Sequence, residues 1–172
     1  RIGIDYFISD DSMFYANVSR GFKSGGFNLL AVQDAYDPEY VWSYEVGLKR
    51  TLQDGRLQTN TSIFLYDYSD MQVGRVENLQ SILLNAAGST IRGAELEIIA
   101  LVSDNFRIHA NAAFLNTEYD NFITQDPGSP GVPTRQLAGN ALPRSPGFTA
   151  NIVGIYRIDL SDGSELVLNG SY

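Results

Sequence analysis

Two consecutive stretches between Asn85 and Thr117 alternate apolar and polar residues with a period of two. In the first, Ala94, Leu96, Ile98, Ala100 and Val102 share one face, and Gly93, Glu95 and Glu97 share the other. Ile99 and Leu101 break the rule near the end. Ser103-Asp104-Asn105 follows, and short polar side chains of this kind bond their local backbone and favour turns. The second stretch sets Phe106, Ile108, Ala110, Ala112 and Phe114 against Arg107, His109 and Asn111. Such a period fits a strand and no helix. Its length is the stronger constraint. Soluble strands commonly run about five or six residues, whereas a tilted strand crossing a bilayer needs about nine to eleven. Two such strands back to back, charged on one face only, predict lipid on one side and a wet lumen on the other.

The same pattern recurs along the chain. Ile2, Ile4, Tyr6 and Ile8 oppose Gly3, Asp5 and Phe7. Phe14, Ala16 and Val18 oppose Tyr15, Asn17 and Ser19. Tyr44, Val46 and Leu48 oppose Glu45, Gly47, Lys49 and Thr51, and residues 57–67 continue after Asp54-Gly55, a strong hairpin signal. Strands are also predicted over 147–160 and 165–172. The connections near 9–12, 53–56, 103–105 and 161–164 are tight and polar. Those near 20–41, 70–83 and 119–146 are long, and the last holds five of the six prolines, which excludes a central strand. Short and long connections alternate strictly. An antiparallel meander with tight turns at one end and long loops at the other is the outer-membrane barrel arrangement.

Composition agrees with that reading. Hydrophobic residues make up 44% of the 172, against disorder. A mean hydropathy of −0.13 is low for helical membrane proteins but natural where a polar face dilutes an apolar one. No run of apolar residues is long enough for a membrane helix. Absence of cysteine removes disulfides and thiolate chemistry. A net charge of −8 argues against a nucleic-acid partner. Both ends fall within alternating patterns, so a segment of something longer is expected.

Four pieces carry a family resemblance: YANVSRGFKSGGFN over Tyr15 to Asn28, SYEVGLKR over Ser43 to Arg50, NAAGSTIRGAELEI over Asn85 to Ile98, and LPRSPGFTANI over Leu142 to Ile152. Together, and in this order, they resemble the barrel of TonB-dependent outer-membrane receptors. The resemblance implies an all-β, antiparallel up-and-down transmembrane β-barrel, with this chain supplying about eight strands of a 22-stranded barrel. It further implies an N-terminal plug domain, which is absent here, so that residues 1–172 form a partial barrel domain. The implied setting is the outer membrane of a Gram-negative bacterium. The implied partners are outer-membrane lipid, a small-molecule ligand, and the TonB-ExbB-ExbD energy-transducing complex acting through the plug. The implied role is binding and import of a scarce nutrient: a siderophore, vitamin, saccharide or metal chelate. A small closed eight-stranded barrel, acting as an adhesin or structural protein, is the alternative.

Two groups of residues are candidates for a site. Parity places Glu45, Lys49, Glu95, Glu97, Arg107, His109, Arg157 and Asp159 toward the lumen, where they contact the plug, line a pathway, or simply form a solvated polar wall. In the segment from Arg20 to Trp42, read as a long loop, Arg20 and Lys23 stand among Phe22, Phe27, Tyr36, Tyr40 and Trp42. Cations beside aromatic surface suit an anionic or aromatic ligand; the competing reading is that GFKSGGF only shapes the barrel rim. His109 is the only histidine, so no metal site is expected from it. Asp34, Asp37 and Glu39 lack EF-hand spacing. No phosphate-binding loop, nucleophile elbow or HExxH motif occurs, so neither catalysis nor a cofactor is expected.

Overall fold

The computed structural model describes residues 1–28, 35–77, 80–85, 88–124 and 135–172. Eight strands form a single antiparallel meander. They are β1 (Ile2–Ser9), β2 (Ser12–Lys23), β3 (Glu39–Leu52), β4 (Leu57–Ser69), β7 (Ser89–Ser103), β8 (Phe106–Tyr119), β11 (Phe148–Asp159) and β12 (Glu165–Ser171). Two small hairpins interrupt the numbering: β5 (Gln72–Glu77) with β6 (Gln80–Asn85), and β9 (Ile123–Thr124) with β10 (Arg135–Gln136). Each hairpin grows out of a long connection at the same end of the sheet.

Register carries the local alternation across the whole sheet. Ala16 pairs with Val46, Val46 with Ile63, Ile63 with Ala94, and Ala94 with Phe114, which pairs with Phe148. Because paired residues point to the same side, one face is apolar from β1 to β12. On the other side the rows are polar, for example Lys49–Asn60–Glu97–Asn111–Asn151. A slip of one residue in any pair would exchange the faces. Tight turns protect the register: Gln53, Asp54 and Gly55 all adopt positive φ, and the Arg56–Asp104 ion pair at 2.8 Å ties two neighbouring turns.

The strands run further than the alternation indicated. β2 reaches Lys23 and β3 begins at Glu39, so the connection expected over 20–41 is shorter, and Arg20, Phe22, Lys23, Tyr40 and Trp42 belong to strands. The connection 70–83 is largely the β5–β6 hairpin. In the proline-rich connection, Pro127, Pro130 and Pro133 lie outside the described residues, as does Asp34.

β1 and β12 are the two edges. Each pairs with one neighbour, and every residue of both is exposed. The closed eight-stranded alternative requires these strands to pair, and they lie at opposite sides of the sheet. Open edges of long strands are templates for further strands.

The buried apolar cluster sits among the long connections rather than in the wall. Tyr119 and Phe122 are buried against Met71, Val73, Leu84, Leu137 and Leu142. Thus one side of the β5–β6 hairpin packs on the segment after β8. Its other side is stitched to the β2–β3 connection by side-chain amides that mimic backbone. Asn28 donates to the Leu83 carbonyl and accepts from the Leu83 amide, both at 2.8 Å. Asn85 accepts from the Asp37 amide and donates to the Asp37 and Asp70 carbonyls. Gln72 donates to the carbonyls of Ser24 and Asp37.

Candidate functional site

The polar face carries an open groove of about 450 Å³ across β2, β3, β4, β7 and β8. Its floor depends on a missing side chain. Tyr15 pairs with Gly47, and a Cβ built on Gly47 would stand 2.4 Å from the Tyr15 ring, so the ring lies flat on the sheet only because this residue is glycine. Laid across Gly47, the Tyr15 hydroxyl donates to Glu45 Oε1 at 2.7 Å, and Lys49 Nζ stands 5.5 Å from the ring centroid. Phe64 over Gly93 repeats the device: a Cβ there would stand 2.6 Å from the ring, and Phe64 is only 7% exposed. Tyr66 stacks on Phe64 at 4.9 Å. Flat rings keep the wall thin and leave the groove open.

The groove is acidic. Glu45, Glu95 and Glu97 line it with Lys49 as the opposing cation, and Asn60 donates to Glu97 Oε2 at 2.7 Å. Such a surface is electrostatically suited to cations and hydrogen-bond donors rather than to anions.

Every residue placed toward the lumen by parity lies on this polar face. Glu45 and Lys49 alternate along β3, Glu95 and Glu97 along β7, and Arg107 and His109 along β8. Arg157 and Asp159 continue the face on β11, where Arg157 meets Glu165 at 3.6 Å. They do not form one site. His109 lies a row beyond the groove between Ile99 and Val153, and its Nε2 is buried with no hydrogen-bond partner among the described residues. Tyr15, Asn60 and Asn111 are groove residues that sequence reasoning did not single out. Alternation put them on the right face, but only register reveals that they converge.

The aromatic-and-cation group is divided by the wall. Arg20 pairs with Trp42 and Phe22 with Tyr40, in the rows that continue the apolar face, whereas Lys23 pairs with Glu39 on the polar side. Arg20 rests over the Tyr40 ring at 4.4 Å and near the Trp42 ring at 5.7 Å. Phe27 is exposed in the connection, and Tyr36 bridges to Gly26. Glu39 accepts from the Gln72 amide at 2.8 Å, and the Asp37 backbone is engaged by Asn85.

Long antiparallel strands, one continuous apolar face and segregated turns and loops define a wall of the outer-membrane β-barrel class. The family model for the TonB dependent receptor-like β-barrel matches residues 1–172, and the chain belongs to that family. It is 25% identical over 156 residues to the metal-pseudopaline receptor CntO of Pseudomonas aeruginosa, a match covering 91% of this chain and 20% of that protein. Among solved structures, the ferric yersiniabactin uptake receptor FyuA from Yersinia pestis superposes with a TM-score of 0.72 at 23% identity, over 97% of this chain and 24% of that one. The siderophore receptor PiuA from Acinetobacter baumannii superposes with a TM-score of 0.70 at 17% identity, over 98% and 28%. The chain therefore spans between 20% and 28% of the length of these relatives.

Proposed function

We propose that this chain is part of the barrel wall of an outer-membrane receptor that imports a metal chelate with energy delivered through TonB. The observation that carries the reading is the register: it extends one apolar face across all eight strands while collecting the long connections at one end. In water such a face would be costly; in lipid it is the matching surface. Further strands, bringing the total to about 22, continue from the β1 and β12 edges and close the barrel around a plug.

On this reading residues 1–172 are one stretch of a barrel domain in a Gram-negative outer membrane. Lys23, Phe27 and Tyr36, at the long-loop end, meet the ligand first. Glu45, Lys49, Glu95 and Glu97 then line the wall that faces the plug and the passing cargo, with Arg107 and His109 nearer the turns. The protein is a receptor rather than an enzyme. The metal chelate is favoured over a vitamin or saccharide because the curated relative is named as a metal-pseudopaline receptor.

The test uses the full-length protein containing this chain, expressed in cells lacking other metallophore receptors. Accumulation of radiolabelled iron or zinc from a panel of metallophores is expected in TonB-containing cells and lost when TonB is deleted. Uptake that continues without TonB, or a protein that fails to bind every metallophore in the panel, overturns the reading.

A further inference from the structure

Arg20 has a place in the fold that the cargo role does not explain. On the β2 side it stands between Val18 and Phe22 on the outward face, and its row runs Arg20–Trp42–Asp67–Thr90–Glu118. Outward polarity therefore begins at one end of the sheet, where Tyr40, Trp42 and Tyr44 form an aromatic border, as side chains at a membrane interface do. Of the two arginines pointing outward at this end among the described residues, Arg92 is already engaged, with Asn116 at 2.9 Å and Glu118 at 3.3 Å. Asp120 is held by Thr90, at 3.1 Å. Arg20 has no carboxylate or hydrogen-bond partner among the described residues. Of the two acids in its row, Glu118 is paired with Arg92, and Trp42 stands between Arg20 and Asp67. The guanidinium instead lies over the Tyr40 ring and near the Trp42 ring, and no side chain among the described residues fills its edge donors.

A planar guanidinium fixed on aromatic rings, with its fork unfilled, is built for a bidentate anion, and phosphate fits that fork. The anion that meets the outward face at the end of its apolar band is a lipid headgroup. We propose that Arg20, cradled by Tyr40 and Trp42, clamps the phosphate of a phosphorylated lipid in the membrane leaflet at the long-loop end. The assignment rests on the apolar face being the lipid face. It joins the apolar surface to the collar of Asp67, Arg92 and Glu118 above it. A lipid chain lies along Val18 and Tyr44 while its phosphate meets Arg20, which anchors the rim beneath the loops.

The experiment is native mass spectrometry of the full-length receptor, loaded with bisphosphorylated lipid A or with its dephosphorylated form. Wild type is expected to retain the phosphorylated lipid in preference. Arg20→Gln is expected to weaken that retention by about tenfold, the size of a lost charged hydrogen bond. Trp42→Leu, which keeps apolar bulk but removes half of the cradle, weakens it less, and Arg107→Gln on the polar face leaves it unchanged. Membrane insertion is followed separately by heat-modifiable migration in gels. Equal lipid retention by inserted wild type and inserted Arg20→Gln overturns the clamp and leaves the barrel intact. Failure of wild type to insert overturns both. Displacement of the lipid by inorganic phosphate well below the concentration of chloride that achieves it makes Arg20 a free-anion site and overturns the lipid assignment. Should Arg20→Gln not fold, Arg20→Lys serves: charge without the planar fork is expected to retain an intermediate amount of lipid.

Discussion

Ile63 and Phe64 are neighbours on β4, yet the first is 64% exposed and the second 7%. Ile63 stands out from the apolar face with nothing above it. Phe64 lies flat on the polar face over Gly93, in a gap no other residue would leave. In a water-soluble sheet the face that carries Ile63 would be the covered one, because apolar side chains leave water. The difference teaches which solvent each face meets. One face is finished by lipid and needs only bulk. The other is finished by the protein itself and needs fitted rings, glycines and hydrogen bonds.

That contrast can be broken by exchanging the chemistry of the faces. Ile63→Arg places a charge on the lipid side and should destabilise the folded barrel by about 2–4 kcal/mol if it lies near mid-membrane. Asn111→Arg, paired with Glu97 on the polar face, should change stability by under about 1 kcal/mol. Urea unfolding of the full-length receptor in lipid vesicles measures both, and similar losses for the pair would refute the assignment of faces.

Fit on the polar side is tested next. Gly93→Val drives a side chain into the Phe64 ring and the Phe114 carbonyl, each 2.6 Å from the built Cβ. A loss of about 1–3 kcal/mol is expected from overpacking. The paired change Phe64→Ala should recover part of it in a double-mutant cycle, and strict additivity would mean that the ring does not rest on the glycine.

A smaller and more local effect is expected among the long connections. Asn85→Ala removes the side chain that holds Asp37 and Asp70, worth about 0.5–1.5 kcal/mol for each hydrogen bond. Hydrogen exchange should quicken at residues 35–38 while protection in β3 and β4 persists. Uniform loss of protection would show that the connections and the wall fold as one unit.

The weakest effect is at the opposite end. Asp162 is fully exposed in the tight turn before β12, where the Ser164 hydroxyl and amide both donate to its carboxylate and hold its pKa below the usual range. A depressed folded-state pKa means that the turn's contribution is present above the unfolded pKa and fades as pH falls through the folded one. The Ser164 amide resonance should follow that titration, and Asp162→Asn should flatten it. A titration midpoint at or above that of an unfolded aspartate would contradict the geometry.

Much of this was legible in the sequence because strand parity is a local property. Alternation through Ala94, Leu96 and Ile98 separated apolar from polar positions without any knowledge of neighbours, and the strict succession of short and long connections ordered the meander. The turns at 53–56 and 161–164 declared themselves through Asp-Gly. The same locality explains what was missed. Arg20, Phe22, Tyr40 and Trp42 alternate with Gly21 and Val41 in strand fashion, but the glycines, acids and proline between residues 21 and 39 favoured a loop reading. Their division from Lys23 by the wall emerged only once β2 was set against β3.

The sequence by itself determined the period of each strand, the positions of the turns and the two chemistries of the faces, because each depends on residues a few places apart. The tertiary structure decided register. That is a property of pairs far apart in the chain, fixed by backbone hydrogen bonds and turn length together. Register laid Tyr15 over Gly47 and Phe64 over Gly93, gathered Glu45, Lys49 and Glu97 around one groove, and set Arg20 beside Tyr40 and Trp42. No local pattern encodes those meetings, because each partner satisfies its own strand equally well whichever residue lies opposite.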